Sequence, residues 1–231
     1  MKCSSVKNAI LVVLTLISVT GYGAEMADLI ARLKKLEGKS TIQAAVHVED
    51  RLLKVDDKDI KPLETGNLMI TADQHTLAIT VTGKVPDSRV YKEFAPFRAA
   101  ELTHCAPHLV KELDGLKLIE NRTSLYEGVA CTRWHLKSEE KQKKSGVSVT
   151  VTKDVELYID SHGYPLASVF RIKSKGGKLF FKFSAEALRR QHYRIVGNRF
   201  VIVYEKNETD INSSVRKEKR TITTTIELAE N

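Results

Sequence analysis

The stretch GVSVTVTKDVELYID (146–160) decides the fold. Val147, Val149, Val151, Val155, Leu157 and Ile159 are all odd-numbered, and Lys153 is the one break. A period of two over some thirteen residues is a β-strand with one apolar face. Ordinary strands run about five or six residues. Strands this long build a large curled sheet, whose concave face has to be closed or covered.

The same signature recurs on both sides. SHGY (161–164) turns the chain into PLASVFRIKSK, and Gly176–Gly177 is expected to turn it into KLFFKFSAEALRRQHYRI. VGN (196–198) leads into RFVIVYEKNE, and KRTITTTIELAE closes the sheet with Ile222, Thr224, Ile226 and Leu228 in phase. Upstream, LKLIENRTSLYEGVACTRWHLKS (116–138) reads as two arms around Glu127–Gly128. Strands joined by short Gly turns form an antiparallel meander.

Nearer the N-terminus, NLMITADQHTLAITVTG (67–83) is a hairpin turning at Ala72–Gln74, with Leu77, Ile79 and Val81 alternating. In STIQAAVHVED (40–50), Ile42, Ala44, Val46 and Val48 point one way. RLLKVDDKDIKPLETG (51–66) is a charged loop or an irregular strand extension. Two segments are helical. AEMADLIARLKKLEGKS (24–40) has Met26, Leu29, Ile30, Leu33 and Leu36 at helical spacing, and Gly38 ends it. In 84–115, three prolines break the strand pattern, and Thr103 is expected to cap a helix over 106–114. Pro107 falls in its first turn and Leu109, Val110 and Leu113 form its apolar face. A shorter helical piece is expected at 97–102. The expected fold is therefore mainly β (α+β). It is a large curved antiparallel sheet or half-open β-barrel meander, with an N-terminal helix and a short helical insertion as lid.

The first residues speak for a compartment. MKCSSVKNAILVVLTLISVTGYGAE has Lys2 and Lys7, an apolar run from Ala9 to Val19, then Gly21, Gly23 and Ala24. The run is shorter than the roughly 20 residues a bilayer span needs. This is the pattern of a cleaved signal peptide, 1–23, followed by a single β-rich domain, 24–231. Cys3 precedes the apolar run, so it is not the lipidated cysteine of a bacterial lipoprotein. Cleavage removes two lysines and no acid, so the formal charge falls from +8 to +6. An exported basic protein points away from nucleic acid. It points toward anionic headgroups, lipopolysaccharide or acidic polymers, or simply toward solubility. The expected location is the periplasm, with secretion as the alternative.

The densest chemistry is ELTHCAPHLVKELDG (101–115). With YEGVACTRWH it gathers His104, Cys105, His108, Cys131 and His135. His104 and His108 have zinc-helix spacing, but HCAPH lacks the glutamate of HExxH, and Pro107 interrupts the helix. A Cys–His nucleophile is a second reading. Export makes a third one stronger: the two cysteines left after cleavage, Cys105 and Cys131, form a disulfide. His47, His75, His162 and His192 sit on polar strand faces or turns. Asp56, Asp57 and Asp59 lack the glycine and final glutamate of a calcium loop. NRT, NET and NSS match glycosylation sequons, which carry meaning only outside bacteria. No phosphate loop, GxSxG or CxxC is present, so neither catalysis, a metal nor a cofactor is expected. The basic runs at 137–144, 173–178, 189–190 and 216–220 mark turns or strand ends. They form a rim for an anionic membrane surface, or they protect sheet edges.

The order of these elements resembles the periplasmic lipoprotein carriers and their relatives. The likeness runs from DLIARLKKLEG through TIQAAVHVED, a hairpin and a helical insertion to the long meander. That family has a half-open β-barrel with helices as a lid, and it binds acyl chains in the concavity. The family's lid-controlling arginine has no placed counterpart here. Trp134 is the sole tryptophan, where many carriers have several. The resemblance implies non-covalent binding of a lipid or a lipoprotein acyl chain. The residues suited to line such a site, or else to fill an ordinary core, are Leu77, Ile79, Val81, Val149, Val151, Leu157, Phe181 and Phe183. The alternative is a structural or protein-interaction envelope factor without a small-molecule ligand.

Overall fold

A computed structural model describes residues 23–56, 58–59, 63–83, 90, 95–144, 147–178 and 181–229. The expected leader, 1–23, lies outside them except for Gly23. All described strands belong to one antiparallel sheet. Strand β1 (Ile42–Val55) pairs with β3 (Leu63–Ala72), and β3 pairs with β4 (Leu77–Thr82) at one edge. The two-residue β2 (Lys58–Asp59) pairs with the end of β1. On its other side β1 pairs with β11 (Lys217–Leu228). The sheet continues through β10 (Arg199–Ser213), β9 (Phe181–Val196), β8 (Pro165–Lys178), β7 (Val147–Ile159) and β6 (Val129–Lys144) to β5 (Lys117–Tyr126). The first described strand therefore lies beside the last. The edges β4 and β5 do not meet, and the curved sheet stays open.

One row of cross-strand partners gives the whole register: Leu118, Leu136, Val155, Phe170, Arg189, Asn207, Ile222, Asp50 and Glu64. Partners in a row share a face, so this row, and every second row beside it, belongs to the face that carries the helices.

Among the described residues, three helical segments longer than one residue lie at one end of that face. Residues 23–34 form α1, Pro96–Thr103 form α2 and Ala106–Leu113 form α3. Pro96 and Pro107 stand in first turns, where a missing N–H costs nothing. Leu29 and Leu33 of α1, Ala99 and Leu102 of α2, and Leu109 and Leu113 of α3 are all buried. They join one cluster with Val46, Leu68, Trp134, Leu157, Phe200 and Ile226 of the sheet. No described helix is long and apolar enough to cross a membrane.

Two local expectations are corrected. The residue capping α3 is Cys105, not Thr103. Thr103 ends α2, and its hydroxyl donates back to the Ala99 carbonyl at 2.9 Å, a bond open to a threonine inside a helix. Gly176 and Gly177 do not form the turn. They lie inside β8, which runs on to the pair Lys178–Phe181. A Cβ on Gly176 would stand 2.7 Å from the Ser148 carbonyl oxygen and 2.8 Å from the Phe183 ring. This glycine is there for close approach rather than for turning.

Candidate functional site

The helices meet the sheet along a seam of buried charge. From α2, Arg98 pairs with Glu205 of β10, and its other nitrogen is 2.8 Å from Glu101. From α3, Glu112 takes Arg189 of β9 at 2.5 Å on both oxygens. His108 bridges the helices, 3.3 Å from Glu101 and 3.4 Å from Glu112. Below them Gln191 donates to Glu205 at 2.6 Å, Tyr193 donates to Gln191 at 2.8 Å, and Ser168 lies 2.6 Å from the Tyr193 hydroxyl. The Arg189 guanidinium lies over the Phe170 ring, 4.6 Å from its centre. Between α2, α3 and the sheet is a hollow of about 170 Å³, bounded by Arg98, His108, Arg189, Asn207 and Ile222 among others.

The seam's charges hold one another. Burial opposes the charge on Glu112, but His108 and Arg189 keep its carboxyl below the usual range. Burial likewise opposes Arg189, and Glu112 together with Tyr193 and Glu205 more than offsets it. The hydrogen bond with Glu112 lifts His108 above an ordinary imidazole. Burial first, and then neighbouring negative charge, drives the Tyr193 phenol and the Cys105 thiol well up. One buried donor among the described residues, Arg189 Nε, has no acceptor. Such a group costs about 1–3 kcal/mol.

The register puts the sequence-predicted lining residues on the helix face. Leu77, Ile79 and Val81 oppose Ala72, Ile70 and Leu68. Val149, Val151 and Phe183 lie with Gly176, Ser174 and Ala185 on that same face, past Arg189. Leu157 is fully buried under the helices and belongs to the core. Phe181 pairs with Lys178, and its side chain lies outside the described residues, as do Leu179 and Phe180.

The His/Cys cluster comes apart. His104 Nδ1 receives the Phe200 amide at 3.3 Å. Burial, and then Arg199, lowers its pKa, so it is a neutral spacer. His108 belongs to the seam. His135 is on the other face of the sheet, 3.2 Å from Asp154. Cys105 and Cys131 are separate thiols, so the expected bond is not made here. Cys105 joins the helix-side core, whereas Cys131 alternates with Trp134 and Leu136 and faces the other way. Among the described residues, no group of three or more His, Cys, Asp or Glu is placed to hold a metal ion.

The bare face also has relief. A trough of about 860 Å³ crosses β5 to β8, and Lys137, Asp154 and Arg171 are among its walls.

No family model, no curated protein and no solved structure matches the chain.

The sequence reading missed the seam because its residues come from five places in the chain. One signal was available. Arg189–Arg190 was expected at a turn or strand end, but it lies in mid-β9, paired on both sides. Two adjacent arginines inside a strand must point to opposite faces, so one of them has to be accommodated against the core. Asp50 was missed similarly. It is fully buried and takes Arg220 in a two-pronged pair at 2.9 and 2.6 Å.

Proposed function

We propose that this is an exported protein of the bacterial envelope, located in the periplasm or secreted after loss of residues 1–23. In this reading it holds a lipid or acyl chain without covalent chemistry, in the concavity of its curved sheet. The supporting observation is the helix face past the Arg189 row. Val149, Val151, Ile172, Phe183, Ala185 and Ala187 are all half-buried there, while α2 makes its main sheet contacts with β10 and β4. An apolar strip continuous with the core, and only partly covered, suits an acyl chain. The helices act as a lid on the other half, and the resemblance in element order supports that assignment.

The hairpin tips bordering this strip carry exposed Lys141, Lys143, Lys175, Lys182, Arg216 and Lys217. Such a rim suits an anionic membrane surface that supplies or receives the lipid.

Native and denaturing mass spectrometry of protein purified from its own compartment tests the reading. A co-purifying lipid is expected, together with saturable uptake of an acyl-chain fluorophore. A ligand-free spectrum with no uptake sinks it. That result would favour the second reading, a protein-interaction or structural factor. One observation supports that reading: Ile119, Leu125 and Val129 at the β5 edge are 53, 69 and 52 % exposed.

A further inference from the structure

We propose that the trough on the bare face is a second binding site, for a phosphorylated saccharide. Its volume of about 860 Å³ falls within the range of small-molecule sites, about 300–1,000 Å³. Lys117, Lys137, Arg171 and Lys173 reach it from the bare face, against Glu139, Asp154 and Glu156, so cations exceed carboxylates by one before His135 is counted; Lys153, in phase with Val151 and Val155, points to the other face.

Those carboxylates are already engaged. Glu156 accepts from Arg133 at 2.8 Å, Tyr158 at 2.9 Å and Arg171 at 3.0 Å. Burial works against its charge, yet these donors bring its pKa down to about 2, so it stays ionised. Asp154 lies 3.2 Å from His135, 3.3 Å from Lys137 and 3.8 Å from Arg171. Glu139 is 3.6 Å from Lys141. The acids therefore act as supports. They hold Arg171 from two sides while 45 % of its side chain stays exposed, which is the way a guanidinium is prepared for an incoming oxyanion.

Lys173 is engaged too, 3.1 Å from Glu186, whereas Lys117 and Lys137 stand directly opposite each other in the register, a like-charge pair that an oxyanion would relieve. The walls also decide between ligands. Ile119 is 53 % exposed at the trough, and the lysine stems beside it are aliphatic. A lone inorganic anion has no use for that apolar wall or that volume, and a bare acyl chain has no use for the cations. A sugar ring bearing two or more phosphate charges uses both.

The test is calorimetry at constant ionic strength on the mature protein, with a hexose bisphosphate, inorganic pyrophosphate and the unphosphorylated hexose as probes. Saturable binding of the bisphosphate is expected, with pyrophosphate weaker and the neutral hexose silent. The double variant Lys137→Gln/Arg171→Gln is expected to weaken binding at least about tenfold, the size of one lost charge-assisted contact. Lys175→Gln/Lys182→Gln removes the same charge from the hairpin tips and is expected to change it less than about twofold. Arg171→Lys keeps the charge and guards against a folding defect; it is expected to bind more weakly than the parent while melting like it. No saturable binding, or equal weakening by the tip variant, overturns the site. Pyrophosphate binding as tightly as the bisphosphate overturns the saccharide. The trough lies on the face opposite the acyl strip, so either reading can fail without the other.

Discussion

Arg189 grips Glu112 through a single nitrogen. Nη2 stands 2.5 Å from both carboxylate oxygens, and the buried Nε of the same guanidinium donates to nothing among the described residues. The pair fastens α3 to β9 at the border between the covered and the open half of the helix face. Removing one partner of a buried ion pair leaves the other uncompensated, at a cost of about 3–5 kcal/mol. Glu112→Ala is therefore expected to lose about 3 kcal/mol in urea unfolding. Glu112→Leu/Arg189→Met, which removes both charges and keeps the volume, is expected to recover most of the loss. A double variant no better than the single one would show that the pair contributes little.

His108 makes the same junction pH-dependent. Its pKa is raised, first by the hydrogen bond with Glu112 and then by the charges of Glu112 and Glu101. Arg98, Arg189 and Glu205 face it across the hollow, and Asp73, His75 and Arg199 share the neighbouring one. A histidine raised on folding stabilises fully below its unfolded pKa, about 6.5, and the benefit fades as pH rises through the folded value. Amide exchange in α2 and α3, corrected for the intrinsic rate, should therefore quicken relative to the rest of the chain as pH rises past neutrality. His108→Gln should flatten that trend. Glu156 has the opposite sign. Held at about 2, its contribution is intact above about pH 4.5 and is lost as pH falls toward 2.

How much of this was legible follows from where each signal resides. Period-two alternation is a local property, and it placed β7 correctly at Val147–Ile159 and put Val149, Val151 and Phe183 on one face. The Glu127–Gly128 turn was also local, since both residues take positive φ, 50° and 83°. Pairing order and buried charge are not local. Nothing in STIQAAVHVED says that it lies beside β11, and nothing in HCAPH says that His108 reads two glutamates while His104 packs on β10. The glycines at 176–177 misled because composition marks turns, whereas here Phe183 needed the space.

Gly38 shows how tightly His104 fits. Its φ is +68°, and a Cβ there would stand 2.6 Å from the imidazole Cδ2 of His104. Gly38→Ala meets both an unfavourable backbone conformation and a ring held by the Phe200 amide. It is expected to cost about 1–3 kcal/mol, read from the thermal midpoint. Adding His104→Ala removes the clash but not the backbone term, so only part of the loss should return. Full tolerance of Gly38→Ala would show that the 36–40 segment is not pinned to the start of β10.

The two cysteines give the most direct check on the sheet itself. Export argues for a Cys105–Cys131 bond, but the register places the two thiols on opposite faces, and a disulfide needs Cα atoms about 4.4–6.8 Å apart. Both are buried, at 2 and 6 % exposure, and burial raises both thiols, so both are poor nucleophiles in the folded protein. Folded mature protein is expected to resist alkylation at neutral pH and to take up two labels once unfolded in urea without reductant. Cys105, held at the start of α3 with its amide on the Phe200 carbonyl at 2.7 Å, should label only with global unfolding. Cys131 lies beside the open edge β5, opposite Ser124, and should label earlier as that edge frays. An intact mass about two hydrogens below the dithiol value, with no labelling in urea, would mean that the bond exists. In that case α3 or the β5–β6 hairpin would have to lie on the other side of the sheet.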